Sequence, residues 1–401
     1  MTTNWQGTER GAAHRSAIAD LAADIDDHLT PEAAVGAVPD LVAPMAEPSP
    51  PEPEAPVQAE PLVRGRRSSA ILRKENVDDQ LPPTSGWQAL IRAVTFGLVS
   101  PKAGTEELGR RADIAAIQRI YSRPMMVMVA QPLGGVGKTT CSIGLGSTFG
   151  RHSALQTLVW DNNETMGTLG VRTSSNDSTR TVWDLLRALG SFERIEARKG
   201  ELSFYTRHQG NNSFNVLVSD EDPDRMKQIG VEEFNRLHAV LTRFYDTILV
   251  DTGNNTRSAN WLAAIDVADQ LVIPTTLKRN AVVSALRMIE QLESMSERTG
   301  NPRYRELVAD AVVLVTQGGG ASSAAAERAE LRKALQGTVR AVIDVPYDKA
   351  LDTGSIIDWQ LVGHPVRRAF ERAAAAIADG LHSVDAASAP TQADPITHGR
   401  R

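Results

Sequence analysis

Residues 125–140 read MMVMVAQPLGGVGKTT, and the fold follows from how this stretch is parsed. Met125–Ala130 is a continuous apolar run, which suits a strand buried on both faces of a sheet. CSIGLGSTFG (Cys141–Gly150) follows with helical character. Between them lies a glycine-rich turn. Strand, glycine turn, helix is the context a phosphate-binding loop requires. Gly134, Gly135 and Gly137 let the backbone, with Val136, close around phosphate oxygens without Cβ clashes. Loop amides and the helix N-terminus offer partial positive charge to an anion. Lys138 would reach the β- and γ-phosphates, Thr139 would place its hydroxyl on Mg²⁺, and Thr140 would bond the α-phosphate. The match to GxxxxGK[ST] has Pro132 in its first position, where a fixed φ near −65° is tolerable. Cys141, next to the loop, reads as a small packing residue.

Further strands are expected at Thr157–Trp160, Phe214–Ser219, Thr247–Asp251, Gln270–Thr275, Ala311–Thr316 and Val339–Val345. Helical stretches alternate with them, so the expected class is α/β with a mostly parallel central sheet in a three-layer P-loop NTPase sandwich. The run ILVD ends in Asp251, which has the Walker B form, a carboxylate that holds Mg²⁺ directly or through water. Asp246 opens that strand and reads as a turn residue. LVWD ends in Asp161. All these elements fall at C-terminal strand ends, which line one crevice in a parallel α/β sheet.

The flanks differ. Trp5 is the only aromatic of the first 85 residues, and residues 1–63 carry eleven Asp/Glu against Arg10 and Arg15. Nine prolines fall between Pro31 and Pro61. Such a segment buries too little apolar surface to offset chain entropy, so residues 1–85 are expected to be a disordered acidic tail. Within it, Ser16–Leu29 has helical spacing, and Arg64, Arg66, Arg67, Arg73 and Lys74 form a basic end. Residues 86–122 read as a helical lead-in: Trp87–Val99, packed on the following domain or, as the alternative, lying on a membrane surface, then Thr105–Tyr121 with Leu108, Ile114, Ile117 and Ile120 as its buried stripe. Residues 123–385 form the expected nucleotide-binding domain, and 386–401 a frayed tail. The 401 residues carry a net charge of −6, which argues against a protein built mainly to coat nucleic acid. One cysteine permits no internal disulfide, which points to a reducing, cytoplasmic compartment. No run approaches the ~18–20 apolar residues of a spanning helix, and the eight histidines form no zinc spacing. No G-x-S-x-G elbow is present.

The order of motifs resembles the ParA/MinD family of deviant-Walker P-loop ATPases. It runs from GGVGKTT to Asp161 with Gly167 soon after, then ILVDTGNN, LVIPTT, VVLVTQ and VPYD, over roughly Met125–Ala378. The tail together with GWQALIRAVT is similar to the subgroup associated with type VII secretion loci. The resemblance implies ATP and Mg²⁺ as ligands, a nucleotide-dependent sandwich homodimer, hydrolysis that resets the dimer, and a stimulating partner protein. The dimer would act on DNA, membrane or another assembly to position cargo. It also implies that Gln317 and Pro346 contact the base, and that Trp261 lies near the dimer face. Arg279, Arg332, Lys333 and Arg340 are the candidate residues for non-specific DNA, against a solvated face. The Ala-rich C-terminal helix, Pro365–Leu381, lacks the bulky apolar face of a membrane tip.

Two positions depart from the family pattern. Leu133 stands where the family has a lysine that reaches the partner's nucleotide. Asn163 stands where the family has a second aspartate that orients the attacking water, and an amide cannot take that proton. Glu164 is adjacent. With Lys138 and Asp161 kept and Asn163 altered, the expectation is an ATPase of weak turnover acting as a nucleotide-dependent switch. The alternative is a non-hydrolysing adaptor whose N-terminal tail recruits partners.

Overall fold

The computed structural model describes residues 81–388 apart from 85, 97, 100, 164–166, 176–177, 220–228 and 318–323. Residues 1–80 of the expected acidic tail, Glu164 and residues 389–401 lie outside the described residues.

Among the described residues, eight strands form one sheet: β1 (Met125–Val129), β2 (Thr157–Asn162), β3 (Arg207–His208), β4 (Phe214–Leu217), β5 (Thr247–Thr252), β6 (Gln270–Thr275), β7 (Val312–Thr316) and β8 (Ala341–Val345). Their order across the sheet is β3-β4-β2-β5-β1-β6-β7-β8. Every pairing is parallel except that of β3 with β4. The seven expected strands are all present, Gln270–Thr275 with the same ends and the other six with ends shifted by one or two residues. β3 was not expected, because an antiparallel edge pair of two residues has too little sequence for a period to show.

The helices are α1 (Gly86–Val94), α2 (Thr105–Ile117), α3 (Lys138–His152), α4 (Leu169–Arg172), α5 (Val182–Phe192), α6 (Lys199–Leu202), α7 (Val231–Leu241), α8 (Ala259–Val267), α9 (Arg279–Thr299), α10 (Arg303–Ala309), α11 (Ala325–Gln336) and α12 (His364–Ser388). Successive strand residues point to opposite faces, so the continuous apolar runs feed two cores. Met126, Met128, Trp160, Ile248, Val250 and Ile273 pack with helices α5 and α7–α10. Met125, Val127, Val129, Leu249 and Val272 pack with α3 and α12. Trp160 stacks on Phe234 of α7 with centroids 4.7 Å apart. This is a three-layer α/β/α sandwich with a mostly parallel sheet, the architecture of P-loop NTPases.

Three expectations are corrected. The domain leaves the apolar face of Trp87–Val99 uncovered: α1 meets it through Gln88, whose side chain lies against Gly104, while Trp87, Leu90 and Val94 are 63%, 65% and 70% exposed. Its approach is held instead by a polar clasp, in which buried Glu107 accepts the Thr84 amide at 2.9 Å and hydroxyl at 2.8 Å. Ile120 is exposed rather than part of the α2 stripe, because α2 ends at Ile117 and the turn carries Ile120 outward. Trp261 lies in the core at 1% exposure, because α8 packs that face on the sheet.

α2 lies along α12 and is pinned there by charge. Arg110 grips Glu371 with two hydrogen bonds of 2.8 Å, and Arg368 meets Asp113 at 2.6 Å. Burial pushes the Glu371 carboxyl up, but hydrogen bonds from His152 and Arg110 and their charge outweigh it and hold it at about 2.

Candidate functional site

Parallel register puts the C-terminal ends of β1, β2 and β5 at one level: Val129 pairs with Asp251, and Asp251 with Asp161. The loop between β1 and α3 rises over this end. Gly135 and Gly137 adopt φ of +73° and +91°, the left-handed region where a side chain is strained. Gly137 is the N-cap of α3 and brings no side chain to cap it. The amides of the first helical turn therefore have no intrahelical acceptor and face the end of the sheet. Thr316, at the end of β7, fixes the loop by donating to the Val136 carbonyl at 3.0 Å.

Lys138 opens α3. Its ammonium donates to the carbonyls of Gln131 at 2.8 Å and Leu133 at 3.3 Å, and to the Asn254 side-chain oxygen at 2.5 Å. The lysine thus bridges the loop to the segment after β5. The Thr139 hydroxyl lies 3.0 Å from that of Thr168. The Thr140 hydroxyl accepts from Arg172 Nη1 at 2.7 Å. Cys141 is fully buried, and burial pushes its thiol up, consistent with packing rather than reactivity.

Asp161 and Asp251 are 2% and 4% exposed. Burial raises both carboxyls above the ordinary aspartate range. The negative charge of Asp251 raises Asp161 further, while Ser219 and the amides of Asn163 and Leu169 oppose this. For Asp251 the opposing groups are Thr139, Lys138, Ser142 and Arg172. Ser219 donates to Asp161 Oδ2 at 3.0 Å, and the Asn163 amide to Oδ1 at 3.2 Å. Gly167 passes so close that a Cβ there would stand 1.9 Å from Asp161 Oδ2. Asp251 Oδ1 is buried with no hydrogen-bond donor among the described residues. An orphaned carboxylate oxygen beside a threonine hydroxyl at a helix N-terminus fits a hard, oxygen-seeking divalent cation, with Thr139 and Asp251 as the residues to hold it.

Beside the loop opens a cleft of about 350 Å³. Its walls include Gly135, Gly137, Thr140, Arg172, Gln317 and Pro346. Gly135, Val136, Gly137 and Thr140 of the phosphate set therefore share one cavity with Gln317 and Pro346, whereas Lys138, Thr139 and Asp251 lie outside its lining. Leu133 is half-buried, with its backbone engaged by Lys138. Asn163 touches Asp161 through its backbone amide. The candidate DNA residues are largely compensated: Arg332 pairs with Asp344, Arg340 with Asp310 and Arg279 with Glu327.

A family model described as an AAA domain matches residues 125–304. That span runs from β1 to the start of α10. No curated protein matches the chain. Among solved structures the chain is similar to a ParA family ATPase from Chlorobium tepidum TLS, at 17% identity and a TM-score of 0.49, covering 63% of this chain and 98% of that one. It is similar to the cell division ATPase MinD of Pyrococcus furiosus at 15% identity and a TM-score of 0.47, covering 65% and 98%. The apo form of McdA from Cyanothece aligns at 18% identity and a TM-score of 0.45, covering 65% and 98%.

Sequence reasoning missed Arg172, Asn254 and Ser219. Arg172 is thirty-two positions from Thr140, and no local pattern connects them. Asn254 lies within ILVDTGNN, where the motif form assigns a role to Asp251 alone. The reciprocal pair of Asn162 and Asn260, bonded at 3.1 and 3.0 Å, ties β2 to α8 and also had no signal.

Proposed function

We propose that this chain binds Mg–ATP in the crevice around Lys138 and acts as a ParA/MinD-like, nucleotide-dependent switch that positions cargo. One observation carries the reading: the register of β1, β2 and β5 sets the Lys138 loop, Asp161 and buried, under-satisfied Asp251 at a single level. Loop amides and Lys138 would hold the phosphates. Thr139 and Asp251 would hold the metal, and Gln317 and Pro346 would flank the base. When bound, Mg²⁺ supplies charge neutralisation at the phosphates. Asp161, acceptor-only when ionised, would orient water or the metal's hydration shell. Leu133 brings no cation to a partner's nucleotide, and Asn163 cannot accept a proton. Both changes point to slow turnover and leave the binding groups intact.

Sizing of the full chain with ATP, ADP and no nucleotide tests the switch, and phosphate release at saturating ATP tests turnover. Mass doubling with ATP alone and slow release abolished by Lys138→Ala are expected. A monomer under all three conditions favours the adaptor reading, in which the domain serves as a scaffold. Release at ordinary P-loop ATPase rates refutes the slow-turnover part.

A further inference from the structure

Resting on the nucleotide reading, we propose that Arg172 is a second cation of the phosphate site, pairing within its own chain with the α-phosphate and supplying charge that Leu133 does not. Arg172 closes the short helix α4, which begins two residues after Gly167. Its Nη1 donates to the Thr140 hydroxyl at 2.7 Å and its Nη2 to the Leu351 carbonyl at 2.6 Å. Its own carbonyl accepts from the Ile357 amide at 3.0 Å. The residue therefore joins the first turn of α3 to the segment that forms the far wall of the cleft.

The donor inventory of Arg172 exceeds what the protein gives it. A guanidinium carries five N–H groups and stays charged in proteins. Two hydrogen bonds are made, Nε is buried without an acceptor, and the carboxylates that act on the guanidinium, Asp352 and Asp251, do so without forming an ion pair with it among the described residues. Half-buried cations of this kind are matched by an anion. Both protein acceptors are neutral oxygens, and the guanidinium lines the same cleft as Gly135, Gly137 and Thr140. An α-phosphate bonded by the Thr140 hydroxyl would lie next to a group already 2.7 Å from that hydroxyl. The bond to Leu351 gives a further consequence: engagement of the phosphate and the position of the base-side wall are read by one side chain.

The test compares the full chain with Arg172→Gln, which keeps donors and drops the charge, and Arg172→Lys, which keeps the charge. Affinities for ATP, ADP and adenosine are measured in Mg²⁺ buffer. Arg172→Gln is expected to weaken ATP and ADP alike, by roughly tenfold or more, since a charge-assisted bond is lost. Adenosine is expected to be unaffected, and Arg172→Lys to recover only part of the loss seen in Arg172→Gln, since it keeps the charge but not the guanidinium fork. If the parent protein binds no ATP, the nucleotide reading itself fails. If the parent binds ATP and Arg172→Gln binds it equally well, only the Arg172 assignment fails. Equal losses for adenosine would show a structural role, and a loss for ATP without one for ADP would move the contact off the α-phosphate; either result overturns the assignment.

Discussion

Asp161 on β2 stands directly beside Asp251 on β5, at the same register position of two parallel strands, and both are buried. Burial and, for Asp161, the charge of its neighbour raise their carboxyls above the aspartate range. Two such groups side by side weaken the ligand-free fold and favour whatever brings positive charge between them. Site and stability are therefore coupled at one pair of residues.

Asp161→Asn should stabilise the ligand-free protein near pH 8. A carboxyl raised in the folded state contributes stability that is present below its unfolded value, near 3.9, and lost as pH rises through the folded value. The wild type therefore carries a penalty at pH 8 that is absent at pH 4. Thermal melts in EDTA should show a gain of about 2–4 °C at pH 8, equivalent to ~1 kcal/mol, and none at pH 4. An equal or larger gain at pH 4 would mean that charge is not the cause.

Gly167→Ala should be strongly destabilising. The new methyl would stand 1.9 Å from Asp161 Oδ2 and 2.4 Å from Ser219 Oγ, neither of which has room to retreat within the buried pair. Overpacking of this kind costs about 1–3 kcal/mol. Urea melts should show a lower midpoint at unchanged slope, and a midpoint equal to the wild type would contradict the close approach.

Glu371→Gln should loosen α2 from α12. Glu371 is held at about 2, below its unfolded value near 4.3. Its contribution is therefore present above pH ~4.3 and lost as pH falls through about 2. Arg110 is partly exposed, so screening reduces the gain, and a cost of ~2 kcal/mol at pH 7 is expected. The difference between variant and wild type should shrink between pH 4 and pH 2. A constant difference across that range would assign the effect to packing instead.

Much of this architecture was written in local pattern. Val- and Ile-rich runs such as ILVD and MMVMV could be read as strands because strands buried on both faces need no alternation. The loop was legible because its glycines, Lys138 and Thr139 are contiguous. What stayed hidden depends on pairs distant in sequence. Nothing near Arg172 announces Thr140, and nothing near Gly167 announces the carboxylate it must clear. Trp87–Val94 misled for a physical reason: amphipathic spacing reports that a helix has an apolar face, not that the domain covers it.

The most direct measurement is calorimetric titration of the full chain with Mg–ATP beside Lys138→Ala. Lys138 is bonded both to its own loop and to Asn254 after β5. Saturable heat is expected from the wild type, with at least about a hundredfold weaker binding in the variant, since a charged phosphate partner is removed. Absence of heat in the wild type, or equal affinity in the two proteins, would contradict the nucleotide site.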